Sequence, residues 1–192
     1  METATIFDLL AALLEYPGED YRARAAACAP ALERVQPDAA TLLAEFSRRI
    51  AALSTEELQE LYTQTFDLDP ANSLDVGWHL FGENYARGEF LVKMRRLLRR
   101  FALAESTELP DHLPHALVVL GRMDPQEAGE FAQACVFPAL EKMRAGFKDK
   151  DNPFENVLTA MARLLESRFA CVPLENSPAA PQLRVLNAGG AQ

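Results

Sequence analysis

Three helix-start signatures constrain this chain more than any other feature in it. Asp124-Pro125-Gln126-Glu127 and Asn152-Pro153-Phe154-Glu155 each place a capping side chain, then Pro at the first helical position, then Glu at the third. The capping oxygen accepts an orphan backbone N–H, and Pro loses nothing where that N–H has no intrahelical acceptor. Ser54-Thr55-Glu56-Glu57 is a capping box, in which hydroxyl and carboxylate each satisfy one first-turn donor. Apolar residues recur at helical spacing between these starts, as in Ile6, Leu9, Leu10, Leu13 and Leu14, and no stretch sustains period-two alternation or a solenoid repeat. The pattern predicts an all-α fold.

Read in order, helices are expected over Thr3 to Glu15, Asp20 to Arg34 with a break near Pro30, Asp38 to Leu53, and from Ser54 to about Asp67. Ser73 is the expected cap of the longest helix, whose apolar positions run from Leu74 through Trp78, Phe81 and Tyr85 to Phe101 with a phase shift near Gly88. Gly77, Gly82 and Gly88 each cost about 1 kcal/mol inside a helix, so close helix packing or an approaching peptide is expected to use them. Asp111 is the expected cap of the next helix, which would leave His112 at its first, outward-facing position. Pro138 is expected to kink the helix that begins at Pro125.

At 192 residues, with 49% hydrophobic and 24% charged residues, the chain supports one ordinary buried core. The expected organisation is a single helical bundle over residues 1–172 and a flexible C-terminal tail over 173–192, where Pro, Ala, Asn and Gly replace periodicity. A net charge of −9 argues against nucleic acid or anionic lipid as a partner and favours a basic peptide. The apolar runs are too short and too charged to insert in a membrane, and Glu2, Asp8 and Glu15 spoil a secretory leader, so a cytoplasmic location is expected. Cys28, Cys135 and Cys171 are odd in number and far apart, and read as reduced, mostly buried thiols.

No nucleophile elbow, phosphate loop or His-Glu-x-x-His motif is present, and catalysis is not expected. His79 and Glu83 at i, i+4, with His112 and His115, leave open a metal-dependent helical enzyme. The run Lys93, Arg95, Arg96, Arg99 and Arg100 reads first as a solvated helix face and second as an anion site for the phosphates of a cofactor or for an acidic protein surface. A groove for a basic amphipathic helix needs an apolar floor and an acidic rim. Trp78, Phe81, Tyr85 and Leu113 are candidates for the floor, and Asp67, Glu83, Glu108 and Asp111 for the rim.

Between residues 62 and 120 the order of motifs is distinctive: Tyr62-x-x-x-Phe66-Asp67, then Ser73-Leu74, His79-x-x-Gly82-Glu83, Arg87-Gly88, and Glu108-Leu109-Pro110-Asp111-His112-Leu113-Pro114. This arrangement resembles the nitrate reductase delta subunit (NarJ) branch of the TorD-type chaperones, which assist assembly of molybdenum enzymes. The resemblance implies a TorD-like helical bundle and a non-enzymatic, unfolded-protein-binding role in nitrate assimilation. The implied partner is the N-terminal peptide of the catalytic (alpha) subunit of a respiratory nitrate reductase, held until its molybdenum pterin cofactor is inserted. The chaperone itself would bind no cofactor stably and would be a monomer or weak dimer. Pro110, Asp111 and His112 match the family's peptide-recognition element, and Trp78, Glu83, Tyr85 and Leu113 are grouped with them as expected client contacts. Tyr62, Phe66, Asp67, His79, Gly82, Arg87, Gly88 and Glu108 match motif positions that could equally be scaffold. A helical adaptor for an unrelated partner remains the third alternative.

Overall fold

The computed structural model describes residues 2–148 and 150–169, with side chains from residue 6 onward. The predicted tail and Cys171 lie outside the described residues. Among the described residues ten α-helices follow in order: α1 (Glu2–Ala12), α2 (Tyr21–Leu32), α3 (Pro37–Ile50), α4 (Thr55–Tyr62), α5 (Val76–Phe81), α6 (Tyr85–Arg100), α7 (Leu113–Leu120), α8 (Pro125–Phe131), α9 (Phe137–Ala145) and α10 (Phe154–Phe169). No β-strand occurs among the described residues, and the all-α prediction holds.

The caps predicted at Ser54, Asp124 and Asn152 form, whereas the one predicted at Ser73 does not: α5 starts after Asp75, without a side-chain cap bond. Ser54 and Glu57 close a reciprocal capping box, the Asp124 carboxylate accepts from the N–H groups of Gln126 and Glu127, and Asn152 Oδ1 accepts from Phe154 N–H. Two π-helical turns, Thr63–Asp67 after α4 and Ala132–Val136 before α9, interrupt otherwise continuous helices. In the first, Thr65 Oγ1 donates back to the Leu61 carbonyl at 2.6 Å, the back-bonding that loosens a helix ladder. In the second the wide turn comes just before Pro138, where the ring would otherwise clash with the preceding turn.

The predicted continuous helix from Ser73 to Phe101 is corrected: it is two helices. Gly82 turns out of α5 with φ +59°, and Asn84 accepts from Ala86 N–H to start α6. Phe81 and Tyr85 keep helical spacing across the turn, which is why periodicity alone could not reveal it. At 16 residues α6 is no longer than α10. The turn also separates His79, on α5, from Glu83, so the two do not share a helical face.

The core joins α2 to α3, α3 to α10, α1 to α7 and α5 to α9. Its centre is a ring cluster in which Phe154 lies 4.9 Å from Phe66, 5.4 Å from Phe46 and 5.9 Å from Tyr62, centroid to centroid. Just past the end of α1, the Leu13 and Leu14 carbonyls accept from the hydroxyls of Tyr21 (2.6 Å) and Tyr62 (2.8 Å). Those bonds satisfy acceptors that a helix leaves orphaned at its end, and they fix α1 against α2 and α4. Cys28 and Cys135 are buried free thiols, pushed up to about 11 and about 12 by burial, as expected for inert core cysteines.

Candidate functional site

Leu74 and Asp75 run antiparallel to His112 and Leu113 in an isolated bridge: Val76 N–H donates to the Asp111 carbonyl (3.0 Å) and Leu113 N–H to the Leu74 carbonyl (2.8 Å). Two segments of the family-like stretch are thereby tied side by side. Asp111 goes further, since its Oδ2 accepts from Gly77 N–H at 2.8 Å. The expected cap of α7 therefore caps α5 instead, and the N-cap of α7 is His112, without a side-chain cap bond. Backbone pairing across the bridge aims the carboxylate away from its own helix.

Beside this bridge lies a cleft of about 610 Å³. Its floor is apolar and aromatic, formed by Tyr16, Tyr62, Phe66, Leu74, Pro114 and Val118. Four carboxylates, Glu15, Asp67, Asp75 and Glu108, line it, with no Lys or Arg among the lining residues. The acidic field is felt inside: the buried Tyr62 hydroxyl is pushed well above the ordinary phenol range, first by burial and then by Asp67, Glu108 and Glu15. Asp67 and Glu108 have no ion-pair partner among the described residues, whereas Asp75 pairs with Arg87 at 2.9 Å. Low-dielectric walls with one sign of charge attract and orient a cation.

Burial favours the neutral form of His79 and His112. Burial, then the neighbouring His115, holds His112 down at about 4. His115 donates from Nδ1 to the Leu109 carbonyl (3.0 Å), and its Nε2 shares a hydrogen bond with the Ser106 hydroxyl (3.1 Å), which steadies the loop carrying Ser106 and Glu108. His79 donates from Nε2 to the Ser73 carbonyl at 2.7 Å, and burial lowers its pKa. Among the described residues no group of three or more His, Cys, Asp or Glu comes together as a metal-ligand set; His79, Glu83, His112 and His115 are not gathered.

The expected site residues are distributed as follows. Tyr62, Phe66, Asp67, Glu108 and His112 line the cleft. Pro110, Asp111 and Leu113 are buried behind it, Asp111 and Leu113 with no exposed surface, so the expected rim position of Asp111 and floor position of Leu113 are corrected. His112 retains only 8% exposure, against the expectation of an outward-facing side chain. Trp78, Phe81 and Gly82 border a second, shallower depression of about 640 Å³ that holds Lys142 and no carboxylate. Glu83 and Gly88 are exposed outside both, and Tyr85 is 83% exposed at the start of α6. Floor and rim as expected from sequence thus fall on different surfaces.

Glu15, Tyr16 and Asp75 were not legible as site residues. Tyr16 lies edge-on to Tyr62 at 5.5 Å, and the Tyr-Pro-Gly helix stop was the only local signal that this corner approaches anything. The basic run on α6 is paired in part: Arg95 and Arg99 flank Glu105, and Arg100 pairs with Glu127. That favours the solvated-face reading over a preformed anion site.

With this geometry in hand, comparisons with known proteins are specific. The family model described as nitrate reductase delta subunit matches residues 32–163. The nitrate reductase molybdenum cofactor assembly chaperone NarJ of Escherichia coli strain K12 is 27% identical over 155 residues, covering 80% of this chain and 63% of that protein. A probable nitrate reductase molybdenum cofactor assembly chaperone NarJ of Bacillus subtilis strain 168 is 30% identical over 110 residues, covering 56% of this chain and 60% of that protein. The chain thus spans less than two thirds of the length of these curated relatives. The match covers every element that builds the cleft except the end of α1 and the turn after it that carries Glu15 and Tyr16, and the chain belongs to the nitrate reductase delta subunit family.

Proposed function

We propose that this protein is an assembly chaperone for a nitrate reductase, and that it binds the N-terminal segment of the catalytic (alpha) subunit in the acidic cleft, holding it while the molybdenum pterin cofactor is inserted. The observation that carries this reading is the cleft itself: an aromatic floor under four carboxylates, walled by family-motif residues. Such a site suits a short amphipathic segment with basic residues, because the floor buries its apolar face and the rim pairs its charges. The second depression lacks carboxylates and suits a basic segment less.

The chaperone acts by binding, without catalysis and without a resident cofactor, as a cytoplasmic monomer or weak dimer; among the described residues no helix is long and apolar enough to cross a membrane. Titration calorimetry with a synthetic peptide of the catalytic subunit's N-terminus tests the reading. Saturable one-to-one binding that weakens as salt rises supports it, and absence of binding at low salt overturns it. Capture of the catalytic subunit from cells grown on nitrate without oxygen separates it from the adaptor reading.

A further inference from the structure

One guanidinium stands between two carboxylates at the edge of the cleft. Arg87 Nη2 donates to Asp75 Oδ2 at 2.9 Å, and both side chains are about a quarter exposed (22% and 24%). On its other side Arg87 Nε lies 4.0 Å from Asp111 Oδ2, beyond hydrogen-bonding distance. That Nε is buried and has no acceptor, and Asp111 Oδ1 is buried and has no donor. Asp111 itself has no exposed surface. Orphaned buried groups of opposite sign are costly, and closing the 4.0 Å gap between Arg87 Nε and the Asp111 carboxylate would relieve them.

Two arrangements therefore compete for Arg87. On Asp75, as observed, it neutralises a carboxylate that faces the cleft and leaves Asp111 short of a partner. On Asp111, it would complete the buried pair but release the Asp75 charge among Glu15, Asp67 and Glu108. A cation entering the cleft removes the second cost. We propose that Arg87 is a placeholder for a client cation: it holds Asp75 in the empty cleft and transfers to Asp111 when a Lys or Arg side chain of the client takes Asp75, which makes Asp75 a reader of positive charge.

This inference rests on the client reading above for the nature of the cation, while the transfer itself is a property of this chain. It sharpens discrimination, because a neutral client residue cannot displace Arg87 and so leaves Asp111 unsatisfied. Burial and then the Asp75 charge raise the Asp111 pKa to about 6, and the Gly77 N–H and Arg87, 4.0 Å away, offset this only in part. A reporter is built in, since Arg87 also lies over the ring of Trp78, 5.7 Å from its centroid, and Trp78 is the only Trp in the sequence. Its indole is held by a 3.0 Å hydrogen bond to the Pro70 carbonyl, so a change in its emission reports the guanidinium rather than a loose ring.

Two measurements on the full chain test the proposal. In the first, wild type and Asp75→Asn are titrated with the synthetic N-terminal peptide and with the same peptide carrying norleucine and citrulline in place of Lys and Arg. Asp75→Asn should weaken the basic peptide about tenfold and the neutralised peptide less than about twofold; equal losses on both, or none on the basic peptide, overturn the reader role. The second needs no client: nitrogen-15 NMR of the Arg87 Nε–H, with Trp78 fluorescence, in free wild type, peptide-saturated wild type and free Asp75→Asn. The Nε–H should shift and exchange more slowly in the last two states relative to the first, and an unchanged signal in Asp75→Asn overturns the transfer. If wild type binds neither peptide, the client reading and the reader role both fall, and the NMR comparison alone judges the transfer.

Discussion

Gly77 and Asp111, 34 residues apart, meet through a 2.8 Å hydrogen bond from the glycine N–H to a carboxylate with no exposed surface. The approach requires the glycine: a Cβ there would stand 2.6 Å from Asp111 Oδ2 and 2.9 Å from the Phe90 ring. Gly77→Ala should therefore destabilise the fold by about 2–4 kcal/mol, combining overpacking with a lost buried hydrogen bond. The same substitution at Gly88, where nothing lies within 4 Å of the added atom, should stabilise by about 0.5–1 kcal/mol through helix propensity. Urea denaturation of the two variants checks the opposite signs.

The pH dependence of stability should show two neighbouring residues working against each other. Burial raises the Asp111 carboxyl from 3.8 to about 6, so between those values the native state keeps a proton that the unfolded chain releases, and stability falls as pH rises. Burial lowers His112 from 6.5 to about 4, so there the unfolded chain holds the extra proton, and stability rises with pH. The two slopes oppose each other from about pH 4 to 6. Asp111→Asn should uncover a rise to which His112 contributes up to about 1.4 kcal/mol per pH unit and to which His79, also lowered by burial, adds, while His112→Gln should turn the slope downward, partly offset by the same His79. Denaturant midpoints at pH 4.5, 5.5 and 6.5 check it; identical slopes in the two variants would mean that neither group is held as described.

Asp67 and Glu108 should matter to the client more than to the fold. Neither has an ion-pair partner among the described residues, so the double variant Asp67→Asn, Glu108→Gln should leave the melting temperature nearly unchanged. Each exposed charge is worth about 0.5–1 kcal/mol to a cationic peptide, which predicts several-fold weaker binding and a shallower salt dependence. Glu83→Gln, exposed away from the cleft, should change neither. Calorimetry at two ionic strengths checks all three proteins, and an unaltered salt slope in the double variant would move the client elsewhere.

Tyr62→Phe should separate scaffold from surface at the cleft floor. Loss of the hydroxyl strands the Leu14 carbonyl it serves at 2.8 Å, costing about 1–3 kcal/mol, while the ring stays 5.0 Å from Phe66. Thermal melts should register the change. Peptide affinity in the folded protein should stay within about twofold, since the floor keeps its apolar shape.

Helix identity and most helix starts were legible because their causes are local. The Ser54–Glu57 box and the Asp124 and Asn152 caps bind donors within three residues of themselves, and a short peptide would carry the same instruction. The Gly82 break was hidden for a related reason: a turn of suitable length keeps the apolar phase from Phe81 to Tyr85, so hydrophobic periodicity records which face is buried and not whether the backbone is continuous. Likewise the family motif was readable as a string, but not which of its members face outward.

By itself, then, the sequence determined the all-α class, most of the local caps, the acidic character and the membership in the nitrate reductase delta subunit family, which rest on composition, on neighbours a few residues away or on the order of motifs along the chain. The cleft was decided only in three dimensions. Its rim draws Glu15 from beyond the end of α1, Asp67 from the π-helical turn, Asp75 from the bridge and Glu108 from the loop before α7, and no spacing rule links such positions. The fate of Asp111 shows the reason most plainly. A capping residue chooses whichever orphan donor the packed backbone brings within reach, and the bridge to residues 74–76 brought Gly77 N–H closer than the helix that Asp111 precedes.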